Sequence, residues 1–394
     1  MGKIMGKTMR ALGLMSGTSM DGIDLALIET DGEDAVRRGP STTFAYDAHF
    51  RRRLAQAVGD ARELTDRGAR PGCLAEVERQ LTEYHAAAVS RFLAERGVQP
   101  VDVAVIGFHG QTVLHNSVVT RVFVKATSDS QARATEDRRT LTVQLGDGPA
   151  LARGTGIDVV WDLRAADAAA GGQGAPLAPV YHRALAAKLP ERPVVVVNVG
   201  GVANVTWISR DGTLIAFDTG PGNALIDDWM LRHTGKAMDA DGATAAGGRV
   251  DDAALNALLL NPYFGQVPPK SLDRNAFAID PVLRLTAADG AATLTAFTAA
   301  SLARARAHFP EQPQLWVICG GGRRNRTLMT MLAAHVDSAV VPAEAVAFDG
   351  DAVEAEAWAY LAVRSLKGLP ITFPGTTGVP APMTGGVLAR SGRR

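Results

Sequence analysis

Apolar runs that break at glycine-rich turns recur along this chain. Residues 11–15 lead through Ser16-Gly17-Thr18-Ser19-Met20-Asp21-Gly22-Ile23-Asp24 into the apolar residues 25–28. That pattern predicts a strand, a tight turn and a returning strand. Residues 49–70 and 74–97 have helical spacing. In the second stretch Leu74, Val77, Leu81, Val89, Phe92 and Leu93 share one face, and Gly97 stops it. Residues 101–107 predict a buried strand that delivers Phe108-His109-Gly110-Gln111-Thr112. From 116 to 140 the periodicity is lost, which predicts an irregular surface excursion. Residues 141–145 then alternate like a strand, and 157–161 form another.

The glycine-rich stretch 170–176 predicts a junction, and after it the layout starts again. Residues 193–199, Gly200-Gly201 and 202–208 repeat the strand, turn and return strand of the N-terminus. The repetition of layout predicts a duplicated architecture. Residues 213–217 read as a strand running into Asp218-Thr219-Gly220-Pro221-Gly222-Asn223, with a helix from 224 and Asn223 suited to its N-cap. Residues 291–308 are helical, and 315–319 form a strand ending in Gly320-Gly321-Gly322-Arg323-Arg324-Asn325. A helix over 351–366 places Glu354 in the apolar arc of Val353, Ala357, Trp358 and Leu361. The pattern predicts an α/β protein of two related domains, 1–162 with 375–394 and 163–374, with nucleotide held between halves that close about the junction near Gly171.

Composition narrows the partners. The 394 residues are 46% apolar and 21% charged, with 41 basic and 41 acidic side chains and net charge zero. Nothing draws the whole chain to nucleic acid or an anionic membrane, so phosphate recognition must be local. Cys73 and Cys319 are the only cysteines, against a disulfide framework or a thiolate metal site and in keeping with a reducing cytoplasm. No apolar run reaches membrane-spanning length, and the basic first residues lack the apolar segment of a secretory signal.

Several stretches carry candidate chemistry, each with a plainer alternative. Asp218 falls where a strand gives way to a helix, the junction at which open α/β sheets bind ligands; an Asp closing a turn through its own backbone looks the same. In the first hairpin, Gly17 and Gly22 allow close backbone approach and Thr18 and Ser19 can donate to phosphate oxygens. Asp21 or Asp24 suits a hydrated Mg²⁺ there, although the Walker lysine is missing and a plain hairpin loop is the alternative. His109 with Gly110, Gln111 and Thr112 suits hydroxyl recognition or structural hydrogen bonding. Asp162, Arg164 and Asp167 suit a polar substrate or a local ion-pair network. Gly320, Gly321 and Gly322 leave a surface without side chains for a base or ribose. Glu354 is either a partnered buried acid or a site residue.

Six motifs in order resemble anhydro-N-acetylmuramic acid kinase: residues 13–22, Gly110-Gln111-Thr112, 170–176, Asn198-Val199-Gly200-Gly201, Phe217-Asp218-Thr219-Gly220-Pro221-Gly222-Asn223 and Cys319-Gly320-Gly321-Gly322. The resemblance runs from residue 13 to about 386. It implies the fold of actin-like sugar kinases, two ribonuclease H-like domains with a cleft closing on ATP. It also implies a reaction in which ATP and Mg²⁺ convert 1,6-anhydro-N-acetylmuramic acid, from cell-wall turnover, into N-acetylmuramic acid 6-phosphate. Asp218 would activate the water that opens the anhydro bridge. Gly17, Thr18, Ser19, Asp21, Gly22 and Asp24 would form the phosphate loop, with Asp24 toward the metal. Gly200, Gly201, Gly320, Gly321, Gly322 and Asn325 would face the nucleotide, and His109, Gln111, Arg164, Asp167 and Glu354 the sugar. The segment 116–140 is longer than the family pattern, and Ala165 and Ala166 stand where some members have arginines, leaving Arg164 for the lactyl carboxylate. A cytoplasmic homodimer acting on a small amino sugar is implied. The rival readings are a kinase of another anhydro or amino sugar, and an actin-like ATPase serving as chaperone or scaffold.

Overall fold

The computed structural model describes residues 7–123, 134–272 and 276–392, in two compact units. Unit 1 comprises residues 1–184 and 354–394, and unit 2 residues 185–353. The division falls at 184/185 and 353/354, displaced from the 162/163 and 374/375 of the sequence reading. Residues past the glycine-rich stretch still pack with the first unit, and so does the helix Val353–Leu366.

Unit 1 is built on β1 (Met9–Ser16), β2 (Gly22–Thr30), β3 (Val36–Ala45), β4 (Val105–Phe123), β5 (Ala134–Leu145) and β6 (Val159–Trp161). Unit 2 carries β7 (Val194–Val199), β8 (Val202–Ile208), β9 (Leu214–Pro221), β10 (Leu315–Cys319) and β11 (Ala339–Pro342); the short β12 (Val387–Ala389) returns to the edge of unit 1. In unit 1 the neighbours run β3-β2-β1-β4-β6, with β1 to β3 antiparallel and β4 and β6 parallel to β1. Unit 2 runs β9-β8-β7-β10-β11 with the same directions. Two sheets with one strand order and one set of directions establish the duplication, and this order is that of the actin-like, ribonuclease H-like domain.

The sequence explains why these strands form. β7 is a run of valines buried on both faces, as a central strand covered on each side must be. In unit 1 the helix Val353–Leu366 lies directly on β1 and β4. A Cβ at Gly13 would come within 1.7 Å of Ala355 O, and one at Gly107 within 2.0 Å of Trp358 O, so only glycine allows this approach.

Three sequence expectations are corrected. The stretch 116–140 is no irregular excursion: its described part continues β4 and β5 as an antiparallel ladder from Asn116↔Leu141 to Phe123↔Ala134. Backbone pairing does not require an alternating side-chain pattern, which is why periodicity missed it. The first helical stretch is only Ala48–Asp60, and turns occupy the residues up to 73. The acid within the apolar surroundings of the last long helix is Glu356, 2% exposed, which accepts from the Tyr181 hydroxyl at 2.8 Å and pairs with Arg38 at 3.3 Å. That helix is buried almost all round, so an arc drawn on it alone could not distinguish Glu356 from the exposed Glu354.

Candidate functional site

Each unit gathers sequence-predicted residues at the ends of its central strands. In unit 1, β1 stops at Ser16 and β2 starts at Gly22, leaving a short loop in which Thr18, Ser19 and Asp21 are exposed. Gln111 braces this loop from below. Fully buried, it accepts from the Ser16 hydroxyl at 2.7 Å and donates to Gly17 O at 3.1 Å and Thr112 O at 3.3 Å. Its amide is consumed in shaping the loop, so it supports a ligand site without a surface of its own. Ser19 donates to Asp21 at 2.7 Å, and Asp24, half-buried on β2, accepts from Thr43 at 2.5 Å.

His109, Arg164, Glu354 and Asp24 share one electrostatic neighbourhood. The Arg164 guanidinium donates to Gly174 O at 2.7 Å and to His109 Nε2 at 3.1 Å, and it lies 5.2 Å from the Trp358 ring. A guanidinium can only donate, so His109 Nε2 accepts and the imidazole is neutral. Burial, with Arg164 adding to it, pushes its pKa well below the ordinary histidine value. The Glu354 carboxyl is raised, first by crowding from protein atoms and then by Asp24, with Arg164 opposing. Glu354 nonetheless keeps solvent access. Asp167 is different: it is buried, accepts from Gly174 N at 2.6 Å and Thr377 Oγ1 at 2.5 Å, and thereby fastens the glycine-rich segment. Nearby, a recess of about 210 Å³ opens among Arg67, Phe108, His109, Gln144, Trp161 and Asp162. Arg67 and Asp162 form an ion pair at this recess, and Asp162 holds a left-handed φ of 52°.

In unit 2 the strand does not end before Asp218 but runs on to Pro221, with a register shift in β8 between Ala203 and Asn204. Asp218 is held from a loop 45 to 54 residues away in sequence. Its N–H donates to Lys270 O at 3.0 Å, its carbonyl accepts from the Tyr263 hydroxyl at 2.5 Å, and its Oδ2 accepts from Leu272 N–H at 2.8 Å. Lys270 is buried, donates to Tyr263 O at 3.1 Å and has its amine pushed down to about 8 by burial. Sequence reasoning assigned none of these three residues a role. Asn223 precedes the helix Ala224–Thr234 as expected, but its side chain donates to Val199 O at 3.0 Å and does not cap that helix.

The glycines divide into two kinds. Gly320 has φ +72° with Asn198 Oδ1 2.4 Å from where a Cβ would lie, and at Gly322 that atom would meet Val199 Cγ1 at 2.3 Å. Gly22 likewise would meet Phe44 O at 2.6 Å. Packing alone requires these three. Gly17, Gly200, Gly201 and Gly321 have no contact closer than 3.4, 3.7, 3.8 and 3.6 Å and no left-handed backbone. The protein leaves open at these four the space that a bound phosphate or ribose would need. Asn325 belongs with the scaffold, buried and capping the helix Arg326–His335 through Leu328 N–H at 2.9 Å. Among the described residues no group of three His, Cys, Asp or Glu side chains gathers into a metal cage, and no helix is long and apolar enough to cross a membrane.

The family model for anhydro-N-acetylmuramic acid kinase matches residues 9–390. A relative named anhydro-N-acetylmuramic acid kinase from Bradyrhizobium diazoefficiens is 53% identical over 382 residues, covering 96% of this chain and 99% of its own. One from Rhodospirillum rubrum is 54% identical over 377 residues, covering 95% and 93%, and one from Agrobacterium fabrum 50% over 393, covering 98% and 100%. With the duplicated actin-like topology, the open glycine turns and the clamped Asp218 in place, this chain belongs to the anhydro-N-acetylmuramic acid kinase family of enzymes.

Proposed function

We propose that the protein uses ATP to convert 1,6-anhydro-N-acetylmuramic acid and water into N-acetylmuramic acid 6-phosphate and ADP, a step in reusing cell-wall sugar. The observation that carries the chemistry is the clamp on Asp218, which fixes both its backbone groups and one carboxylate oxygen. Asp218 accepts a proton from the water attacking C1; the C1–O6 bond breaks, and the freed O6 attacks the γ-phosphorus. A base held in place contributes about 10²- to 10⁴-fold.

The residues fit the nucleotide, because Gly17, Gly200, Gly201 and Gly321 leave uncommitted space and Thr18 and Ser19 present exposed hydroxyls. They fit Mg²⁺ as well: this ion is usually held through one or two carboxylates, waters and phosphate oxygens, so Asp24 suffices without a three-residue cage. When bound, the metal and nucleotide supply the phosphoryl group and neutralise charge on it. Glu354, His109 and Arg164 offer the sugar an acid, an imidazole and a cation in one place. Cytoplasmic location and a homodimer are part of the same proposal.

The Asp218→Asn variant tests the assignment. It is expected to fold and bind ATP as the native protein does while losing turnover by 10²-fold or more, in line with the loss of a general base worth about 10²- to 10⁴-fold. Near-native turnover would remove Asp218 from the mechanism.

A further inference from the structure

The loop that clamps Asp218 is held together from inside by one amine. Lys270 is only 6% exposed. Its Nζ donates to Tyr263 O at 3.1 Å, and lies 4.5 Å from the centroid of the Tyr263 ring and 5.7 Å from that of Phe217. Its own carbonyl accepts from Asp218 N–H at 3.0 Å. One residue thus touches the phenol that donates to Asp218 O, the main chain behind that phenol, and the ring that precedes Asp218. The position is a costly one for an amine. Burial pushes its pKa down to about 8, and among the described residues no carboxylate offsets that push. One carbonyl and two aromatic faces replace water only in part. A methionine would fill the same space without a charge, so stability does not explain a lysine here. Tyr263 O does not require it either, since Gln266 N–H also donates there at 3.1 Å. What the amine supplies is a tie between residues 263 and 270, across the loop.

We propose that Lys270 is a positioning residue for the reaction: its amine braces the loop so that the three bonds to Asp218 act as one clamp and keep the carboxylate aligned. This rests on the assignment of Asp218 as the base and deepens it. The Tyr263 hydroxyl, Lys270 O and Leu272 N–H all reach Asp218 from this loop. Tied across, they move as one body; untied, each must be ordered separately, at its own cost in conformational entropy. None of the contacts of the amine reaches the open glycines 200, 201 and 321, so the brace acts on the chemical step and leaves nucleotide binding alone.

The test is Lys270→Met, which keeps the length of the side chain and removes its donor and its charge. With 1,6-anhydro-N-acetylmuramic acid, kcat is expected to fall about tenfold, short of the roughly 10²-fold that a 1 Å misplacement can cost. The KM for ATP should hardly change, and the melting midpoint should stay at or above the native one, because a buried cation has been removed. Combined with Tyr263→Phe, the losses should not multiply, since both changes act through the same clamp. Native kcat in Lys270→Met, a loss of kcat accompanied by a lower midpoint, or losses that multiply in the double variant would overturn the brace. Hydrogen exchange at the Asp218 and Leu272 amides reads the clamp without turnover, and Lys270→Met should speed it about tenfold if the loop opens more often. In a protein that phosphorylates neither sugar, faster exchange would uphold the brace and refute the kinase reading only. Exchange at the native rate would overturn the brace whatever the substrate.

Discussion

Alanine at two neighbouring glycines should have opposite effects on folding and on nucleotide use. At Gly321 a methyl would sit 3.6 Å from Asn223 Nδ2 with nothing closer, and the backbone is not left-handed. Gly→Ala at such a compatible site stabilises by about 0.4–1 kcal/mol through the unfolded chain. At Gly322 the methyl would lie 2.3 Å from Val199 Cγ1 and 2.6 Å from Val199 Cβ. That overlap lies inside a packed region and should cost about 1–3 kcal/mol. In a domain of this size each kcal/mol moves the melting midpoint by about 2–4 °C, so calorimetry resolves the two. The nucleotide requirement reverses the order. If the open face of Gly321 is where the nucleotide lies, Gly321→Ala places a methyl in that space and raises the KM for ATP by about tenfold, or 1.4 kcal/mol. Gly321→Ala should therefore melt at or above the native midpoint and use ATP poorly. Gly322→Ala should melt lower and, where folded, use ATP nearly normally. Native ATP affinity in Gly321→Ala would refute the division of glycines into those the fold needs and those a ligand needs.

Other perturbations have outcomes that follow from the same geometry. Tyr263→Phe removes the hydroxyl that donates to Asp218 O; kcat should fall several-fold with little change in the KM for ATP, and an unchanged kcat would show that the loop does not position Asp218. Acid stability should depend on His85 and His182, both buried and both lowered by burial from the ordinary 6.5 to about 4. The unfolded chain takes up these protons first, so stability is intact above pH 6.5 and declines toward pH 4. Around pH 5 each contributes a slope of about 1.2 kcal/mol per pH unit. His85→Gln should flatten urea-unfolding stability against pH by about that amount, and parallel native and variant profiles would contradict it.

The sequence exposed the repeated hairpins because glycine turns between apolar runs are local signals, and both β1–β2 and β7–β8 appear where they were expected. The clamp on Asp218 was not legible, since Tyr263, Lys270 and Leu272 meet it only through tertiary folding. The cue was Pro268-Pro269-Lys270-Ser271, an unusual loop with no periodicity to suggest where it docks. Gln111, in a motif, and Asp167, in the polar group with Asp162 and Arg164, were both expected to face the sugar, yet both are buried and spent on backbone and hydroxyl partners. Composition cannot separate a polar group that supports a loop from one that faces a ligand.

The central claim, that ring opening by water and phosphorylation of O6 occur in one turnover, is tested most directly by product mass. The protein is incubated with ATP, Mg²⁺ and either 1,6-anhydro-N-acetylmuramic acid or N-acetylmuramic acid. The expected result is ADP formation with the anhydro sugar alone and a product heavier by one phosphoryl group (HPO₃) and one water. A phosphorylated product that keeps its anhydro bridge, or no sugar-dependent ADP at all, would contradict it.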